Sequence, residues 1–240
     1  MGPCSISRTP DAVVVPDDLQ AALAQLDYSK GMILRLEAYE RFLAAHPEQH
    51  GKITYLQITP KSRSQIKEYA EIEQAISTMA GRINGAVSNA AWAPVRYVNR
   101  AYSRTALAGL YRAARVGLVT PLRDGVNLVA KEYVAAQDDT DPGVLILSRF
   151  AGAAAEFKEG ALLVNPYNPD SVAAAMARAI AMPLAERKTR HAALYATFLT
   201  NDISKWGDRF LSTLMGTKTF DLAAADKQTQ WQDPGNFLPH

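Results

Sequence analysis

The chain contains the run LVTPLRDGVNLVAKE at residues 118–132, in which an apolar strand stops at a loop with Pro and Gly and a helix begins. The N–H groups in the first turn of a helix can bind an anion. Parallel sheets bind ligands at the carboxyl ends of their strands, so Asp124, Asn127 and Glu132 are expected at a ligand-binding edge. A purely structural interpretation, with Asp124 and Asn127 as turn and cap residues, fits the same pattern.

On both sides of this run, short apolar strands alternate with helices. The predicted strands are residues 53–58, 95–98, 116–120, 144–148 and 161–164. Helices are predicted at 31–45, 64–83, 103–114, from about 126, from 168, at 184–199 and at 203–214. Continuous apolar strands separated by helices indicate an α/β fold with a doubly wound, Rossmann-like parallel sheet.

Composition limits the class of protein. The 240 residues are 48% hydrophobic and carry a net charge of +2, which is too small to predict a nucleic-acid or membrane-surface partner. No apolar run approaches the roughly 20 residues of a transmembrane helix. Cys4 is the single cysteine, so the chain cannot form an internal disulfide, and we expect a cytoplasmic protein.

Several kinds of chemistry have no support in the sequence. The GxGxxG turn of dinucleotide oxidoreductases is absent, and beyond Asp124 and Glu132 no acid pair suggests a glycoside hydrolase. None of the four histidines lies in a motif with metal-ligand spacing. We therefore expect neither a metal nor a cofactor.

Longer motifs identify a family. Residues 120–137 follow the pattern TPLRDGxNLVAKEYVAAQ, and the other matching segments are LDYSKG (26–31), SR (62–63), GRING (81–85), WAP (92–94), GVLILSRFAGAA (143–154) and ALLVNP (161–166). In this order, over about residues 26–214, the chain resembles the C-terminal, donor-binding half of the trehalose-6-phosphate synthases of glycosyltransferase family 20. These retaining enzymes transfer glucose from UDP-glucose to glucose 6-phosphate.

The resemblance implies a role for each site residue. Lys30 would neutralise the diphosphate, Glu132 would bind the ribose hydroxyls, and Tyr102 would lie beside the uracil. Further donor-binding positions are Asp124, Gly125 and Asn127 around the glucose and Leu128, Val129, Ala130 and Lys131 at the helix start. Arg63 resembles the arginine that contacts the phosphate of glucose 6-phosphate.

Each assignment has a structural alternative. Lys30 and Arg63 could be solvated residues that precede helices. Glu132 could be an exposed helix residue that contacts only solvent, and Tyr102 could be a core aromatic. By resemblance the departing phosphate, and no protein nucleophile, would assist the acceptor hydroxyl.

Three features depart from the family. Gln25 stands where the family has a diphosphate-binding arginine, and loss of a charge-assisted hydrogen bond costs about 1.5–3 kcal/mol, so donor affinity should fall. Residues 16–23 predict a helix start where the family has an apolar strand. We expect a divergent segment at 1–25, a nucleotide-sugar-binding domain at 26–214 and an irregular tail at 215–240, without the acceptor lobe that precedes this domain in the family.

Three hypotheses remain open at this level. The chain is a synthase half that needs another chain for the acceptor lobe, a non-catalytic member that binds UDP-sugar or a complete synthase, or a transferase with another acceptor. The first two involve a partner chain or a homo-oligomer.

Overall fold

The computed structural model describes residues 20–22, 31–59, 67–200 and 203–216. The strands in these ranges are β1 (Gln20–Ala22), β2 (Ile53–Ile58), β3 (Val95–Val98), β4 (Val116–Val119), β5 (Val144–Ser148) and β6 (Leu162–Val164). The α-helices are α1 (Met32–Ala45), α2 (Lys67–Val87), α3 (Arg104–Ala113), α4 (Leu128–Ala136), α5 (Ala153–Phe157), α6 (Pro169–Ile180), α7 (Leu184–Thr200) and α8 (Ile203–Gly216).

All strand pairs among these residues are parallel. The order is β1-β2-β3 in one sheet and β4-β5-β6 in the other. Since β1 also lies beside β4, with Cα atoms within 8 Å, the strands follow the spatial order β3-β2-β1-β4-β5-β6. This is the doubly wound order, and the predicted fold class is confirmed.

Helices cover both faces of the strands. Alternate residues of a strand point to opposite faces, so Leu118 and Ile146 belong to a buried cluster that also contains residues of α1, α2 and α6. Val119 and Leu147 pack on the other face with α3, α4, α5 and α7. Burial on both faces explains why these strands read as continuous apolar runs in the sequence.

Local sequence sets several helix starts as expected. Ser103 caps α3 by accepting a hydrogen bond from the Ala106 N–H at 3.2 Å. Asn168 caps α6 by accepting from the Ser171 N–H at 3.0 Å, and Pro169 occupies the first turn.

The predicted helix start at residues 16–23 is wrong for the part that the structure describes. Gln20–Ala22 forms β1, which pairs in parallel with β2 between Gln20 and Ile53 and between Ala22 and Tyr55. Gln and Ala favour helix locally, but pairing with β2 and the position beside β4 override this weak preference. The strand that we expected to be missing is therefore present.

The chain divides into two compact units after Leu199, and α8 belongs to the second. Of α8, Phe210, Leu211, Leu214 and Met215 are exposed. Residues 217–240 lie outside the described residues, so the irregular tail stays a prediction, as do the domain boundaries. Among the described helices, none combines the length and the apolar character needed to span a bilayer.

Tyr133 fixes α4 against β4. Its ring is 2% exposed and lies beside Gly117, where an added Cβ would come within 2.7 Å of it. Its hydroxyl donates to the Ala114 carbonyl at 3.0 Å, and burial raises the pKa of this hydroxyl. The Tyr133 contacts therefore set the direction in which α4 leaves the sheet.

We predict that Tyr133→Phe lowers the free energy of unfolding by about 1–3 kcal/mol, because the buried Ala114 carbonyl loses its donor. Urea titration followed by circular dichroism measures this change. Tyr167→Phe is the matched control, since Tyr167 is 59% exposed, and it should leave the midpoint unchanged. Equal midpoints for both variants would contradict the role given to the hydroxyl.

Candidate functional site

The site is expected where the strand order reverses, between β1 and β4. The chain after β4 runs through residues 120–127 into α4, and the chain after β1 enters α1 at Gly31. Gly31 has a φ of 66°, and a Cβ there would lie 2.7 Å from the Thr120 carbonyl oxygen. The start of α1 therefore touches the end of β4, as a site between these two elements requires.

Arg35 gives this end of the sheet a buried positive charge. Its residue exposure is 2%, and its Nε donates to the Thr120 Oγ1 at 2.8 Å. Thr120 is buried as well and immediately precedes the loop. A guanidinium below the crevice adds positive potential where an anionic ligand would bind.

Asn127 shapes the loop. It adopts a left-handed conformation with a φ of 54°, and its Oδ1 caps α4 by accepting from the Ala130 N–H at 3.0 Å. Its Nδ2 donates to the Asp124 Oδ2 at 2.8 Å. The cap interpretation thus holds for Asn127, and the same cap orients the helix start.

The first residues of α4 differ in whether their backbone N–H groups can bind a ligand. Ala130 is fully buried, and its N–H is used by the cap, so it supports the helix start and offers no group to a ligand here. Leu128 is 62% exposed, and the N–H groups of Leu128 and Val129 fall in the first turn, which has no intrahelical acceptors. An anion can bind these two N–H groups with help from the helix dipole.

Glu132 lies one turn further along α4 and is exposed. Its Oε2 accepts from the Tyr111 hydroxyl of α3 at 3.3 Å, so it contacts more than solvent. Burial, and next the charge of Glu132, raise the pKa of Tyr111. The two side chains line a groove of about 300 Å³ between α3 and α4.

Lys131 and Tyr102 have structural contacts. The Lys131 Nζ lies 2.9 Å from the Glu156 Oε2 in α5, which ties α4 to the next helix. Tyr102 is partly buried against the core cluster that contains residues of α3 and α4, and the Arg100 guanidinium lies 4.8 Å from the centre of its ring. The interpretation of Tyr102 as a core aromatic therefore describes its packing. Its contact with the uracil stays a prediction.

Asp124 and Gly125 contact the next loop of the sheet. The Asp124 N–H donates to the Phe150 carbonyl at 3.3 Å, and the Gly152 N–H donates to the Asp124 carbonyl at 2.8 Å. Gly125 is exposed and has open space around its Cα. The structure thus brings together Asp124, Gly125 and residues 127–132 at one edge.

Three predicted positions cannot be placed. Lys30, Gln25 and Arg63 lie outside the described residues, and their roles stay predictions. The described ranges contain no group of three or more His, Cys, Asp or Glu side chains arranged to hold a metal ion. The expectation of a metal-free, cofactor-free site remains a prediction as well.

Sequence reasoning missed Arg35, Tyr111 and Gly152. Arg35 and Tyr111 are buried helix residues outside the matching segments, and only the packing of α1 and α3 shows their contacts. Gly152 had a signal, because it belongs to the matching segment 143–154, but nothing in the segment indicated its contact with Gly125.

A larger cavity of about 590 Å³ lies between α3, the end of α4 and α7. Arg112, Asp138 and Lys188 are among its charged lining residues, and Tyr195 and Leu199 among its apolar ones. It contains none of the predicted site residues.

Comparison with known proteins agrees with this geometry. The model of glycosyltransferase family 20 matches residues 18–216, a range that includes β1 and the whole loop and helix described above. The trehalose-6-phosphate synthase of Sinorhizobium fredii is 58% identical over 190 residues, which are 79% of this chain and 41% of that protein.

Solved structures show the same similarity. The trehalose-6-phosphate synthase from E. coli bound with UDP-2-fluoro glucose superposes with a TM-score of 0.79 at 47% identity, over 87% of this chain and 45% of that one. The enzyme from Burkholderia xenovorans in complex with glucose-6-phosphate gives a TM-score of 0.79 at 48% identity, over 83% and 44% of the two chains.

The chain spans about two fifths of the length of these relatives. Within that span the family match extends from β1 to α8 and takes in the capped loop after β4. On this basis the chain is a member of glycosyltransferase family 20.

Proposed function

We propose that this chain binds UDP-glucose and transfers its glucose, with retention of configuration, to glucose 6-phosphate, which yields trehalose 6-phosphate and UDP. The main support is the loop at the β1/β4 crevice, where Asp124, Gly125 and Asn127 precede a capped helix that carries Glu132. Family membership and the ligands named for the two solved relatives support the same reaction.

In this proposal the diphosphate leaves toward the start of α4. The N–H groups of Leu128 and Val129 and the positive helix end stabilise the charge that develops on it. Arg35 adds positive potential from below, and Lys30, which directly precedes Gly31 in the sequence, is proposed to add its ammonium. A phosphate oxygen then takes the proton of the attacking acceptor hydroxyl, so no protein nucleophile is required.

Other side chains orient the donor. The carboxylate of Glu132 accepts hydrogen bonds from the ribose hydroxyls, and Tyr102 lies beside the uracil. Asp124 and Asn127 are already joined by a hydrogen bond of 2.8 Å, so the loop meets the glucose in an organised conformation.

Glucose 6-phosphate is proposed as the acceptor, with Arg63 on its phosphate. The proposal includes a partner chain or a second copy of this chain that contributes to the acceptor site, and the proposed reaction takes place in the cytoplasm without a metal or cofactor. Binding of UDP-glucose without transfer is the alternative, and Gln25 supports it because a neutral side chain replaces the arginine of the family.

We predict that the purified chain mixed with UDP-glucose and glucose 6-phosphate releases UDP faster when an inactive full-length relative supplies the acceptor lobe. A coupled assay for UDP measures the rate. An Asp124→Ala chain is the control and should give no increase. If UDP release does not exceed the rate of UDP-glucose hydrolysis, with or without the inactive relative, the chain does not catalyse transfer under these conditions. Binding of UDP-glucose alone then remains.

We predict that Lys30→Ala raises the Kd for UDP at least about tenfold, because one charge-assisted hydrogen bond is worth about 1.5–3 kcal/mol. Isothermal titration calorimetry measures the Kd. Lys52→Ala is the matched control, since Lys52 is exposed and precedes β2 at the opposite end of the sheet. Equal Kd values for the two variants would remove Lys30 from the diphosphate site.

We predict that Glu132→Gln raises the Kd for UDP about tenfold but leaves the Kd for 2′,3′-dideoxy-UDP unchanged, because only the ribose hydroxyls need the carboxylate. Glu159→Gln, a change at an exposed acid, is the control for general electrostatics. The same loss for both nucleotides would contradict contact between Glu132 and the ribose.

A further inference from the structure

We propose that the loop between β5 and α5, residues 149–152, positions the glucose-binding Gly125 peptide of the loop between β4 and α4, residues 120–127, which we call the donor loop. In this proposal Gly152 is a positioning residue for the Gly125 carbonyl. The inference rests on the proposed function for the ligand that the peptide holds. The contact between the two loops stands on geometry alone.

A backbone bridge joins the loops. The Asp124 N–H donates to the Phe150 carbonyl at 3.3 Å, and the Gly152 N–H donates to the Asp124 carbonyl at 2.8 Å. Asp124 and Ala151 thereby form an isolated parallel bridge. This bridge extends the pairing of β4 and β5 beyond their ends and restrains Asp124 through its main chain.

The space beside Gly152 is too small for a side chain. A Cβ at this position would lie 1.8 Å from the Gly125 carbonyl oxygen and 2.7 Å from its carbonyl carbon. The φ of Gly152 is −57°, which any residue can adopt, so the need for glycine comes from the approach of the Gly125 peptide and not from backbone strain.

The β5–α5 loop cannot easily move aside. Ala153 and Phe157 of α5 are each 1% exposed and anchor the loop in the core. Ser148 holds its first residues, because its Oγ accepts from the Phe150 N–H at 3.1 Å and its carbonyl accepts from the Ala151 N–H at 3.1 Å.

The donor loop, and not the β5–α5 loop, would be displaced by a side chain at residue 152. Gly125 is exposed, and a Cβ built on it meets no atom within 4 Å. Alanine at residue 152 would therefore displace the Gly125 peptide by more than about 1 Å to restore an ordinary contact. A misplacement of this size in a substrate-positioning group can cost about 100-fold in rate.

The effect should be specific to the sugar. The first turn of α4 is held separately, by the Asn127 cap and by the ion pair of Lys131 with Glu156 at 2.9 Å. Displacement of Gly125 leaves these contacts in place, so the diphosphate and nucleoside should bind as before.

The experiment compares Gly152→Ala with Gly109→Ala, a glycine in α3 whose added Cβ would meet nothing within 4 Å. Calorimetric titrations give the Kd for UDP and for UDP-glucose. We expect Gly152→Ala to raise the Kd for UDP-glucose at least tenfold and the Kd for UDP less than twofold, with both values unchanged in Gly109→Ala. An equal loss for both ligands, or no loss for UDP-glucose, would overturn the proposal.

A second measurement needs neither a folded variant nor a ligand. In wild-type protein, hydrogen exchange should be slow at the Asp124 and Gly152 amides, as in β5, and fast at the exposed turn containing Gly51. Exchange at Asp124 and Gly152 as fast as at that turn would show that the bridge does not hold the loop. If wild type does not bind UDP-glucose, the proposed function fails, and the exchange data still test the bridge.

Discussion

Burial of β4 on both faces is the constraint on which the candidate site depends. Leu118 and Val119 point to opposite faces and are each enclosed by helices, so the strand can shift toward neither side. The slot of Gly117 admits the Tyr133 ring, which sets the position of α4 relative to the strand. The loop between β4 and α4 is therefore held at both of its ends by the core.

Two neighbouring segments then restrain the loop from its sides. On the β1 side, Gly31 touches the Thr120 carbonyl, and Arg35 donates to the Thr120 hydroxyl. On the β5 side, the backbone of Asp124 bridges to Phe150 and Gly152. Gly125 and Val126 in this loop are exposed, but the backbone of the loop is organised before any ligand binds, which lowers the entropic cost of binding.

Family membership and activity depend on different parts of the molecule. The match to glycosyltransferase family 20 covers residues 18–216, and the loop, its cap and Glu132 all lie within it. The chain spans about two fifths of the length of the relatives compared, so the transfer reaction of those whole proteins stays a proposal for this chain. This separation makes binding of UDP-glucose and turnover two distinct questions for this protein.

Much of the fold could be predicted because its information is local. The alternation of apolar strands and amphipathic helices matches most of the observed elements within a few residues, and the caps Ser103 and Asn168 lie where expected. The prediction failed at Gln20–Ala22, where three residues with little strand preference pair with β2. Their conformation depends on a distant neighbour, which a local pattern does not contain.

The sequence by itself determined the class of fold, the family motifs and the residue types in the loop between β4 and α4, because each depends on residue type and spacing along the chain. Only the tertiary structure decided that Asn127 both caps α4 and binds Asp124, that the Ala130 N–H is already used, and that Gly152 adjoins Gly125. These contacts join side chains and peptides whose separation in space is set by packing across the sheet. For that reason no spacing in the sequence could show them.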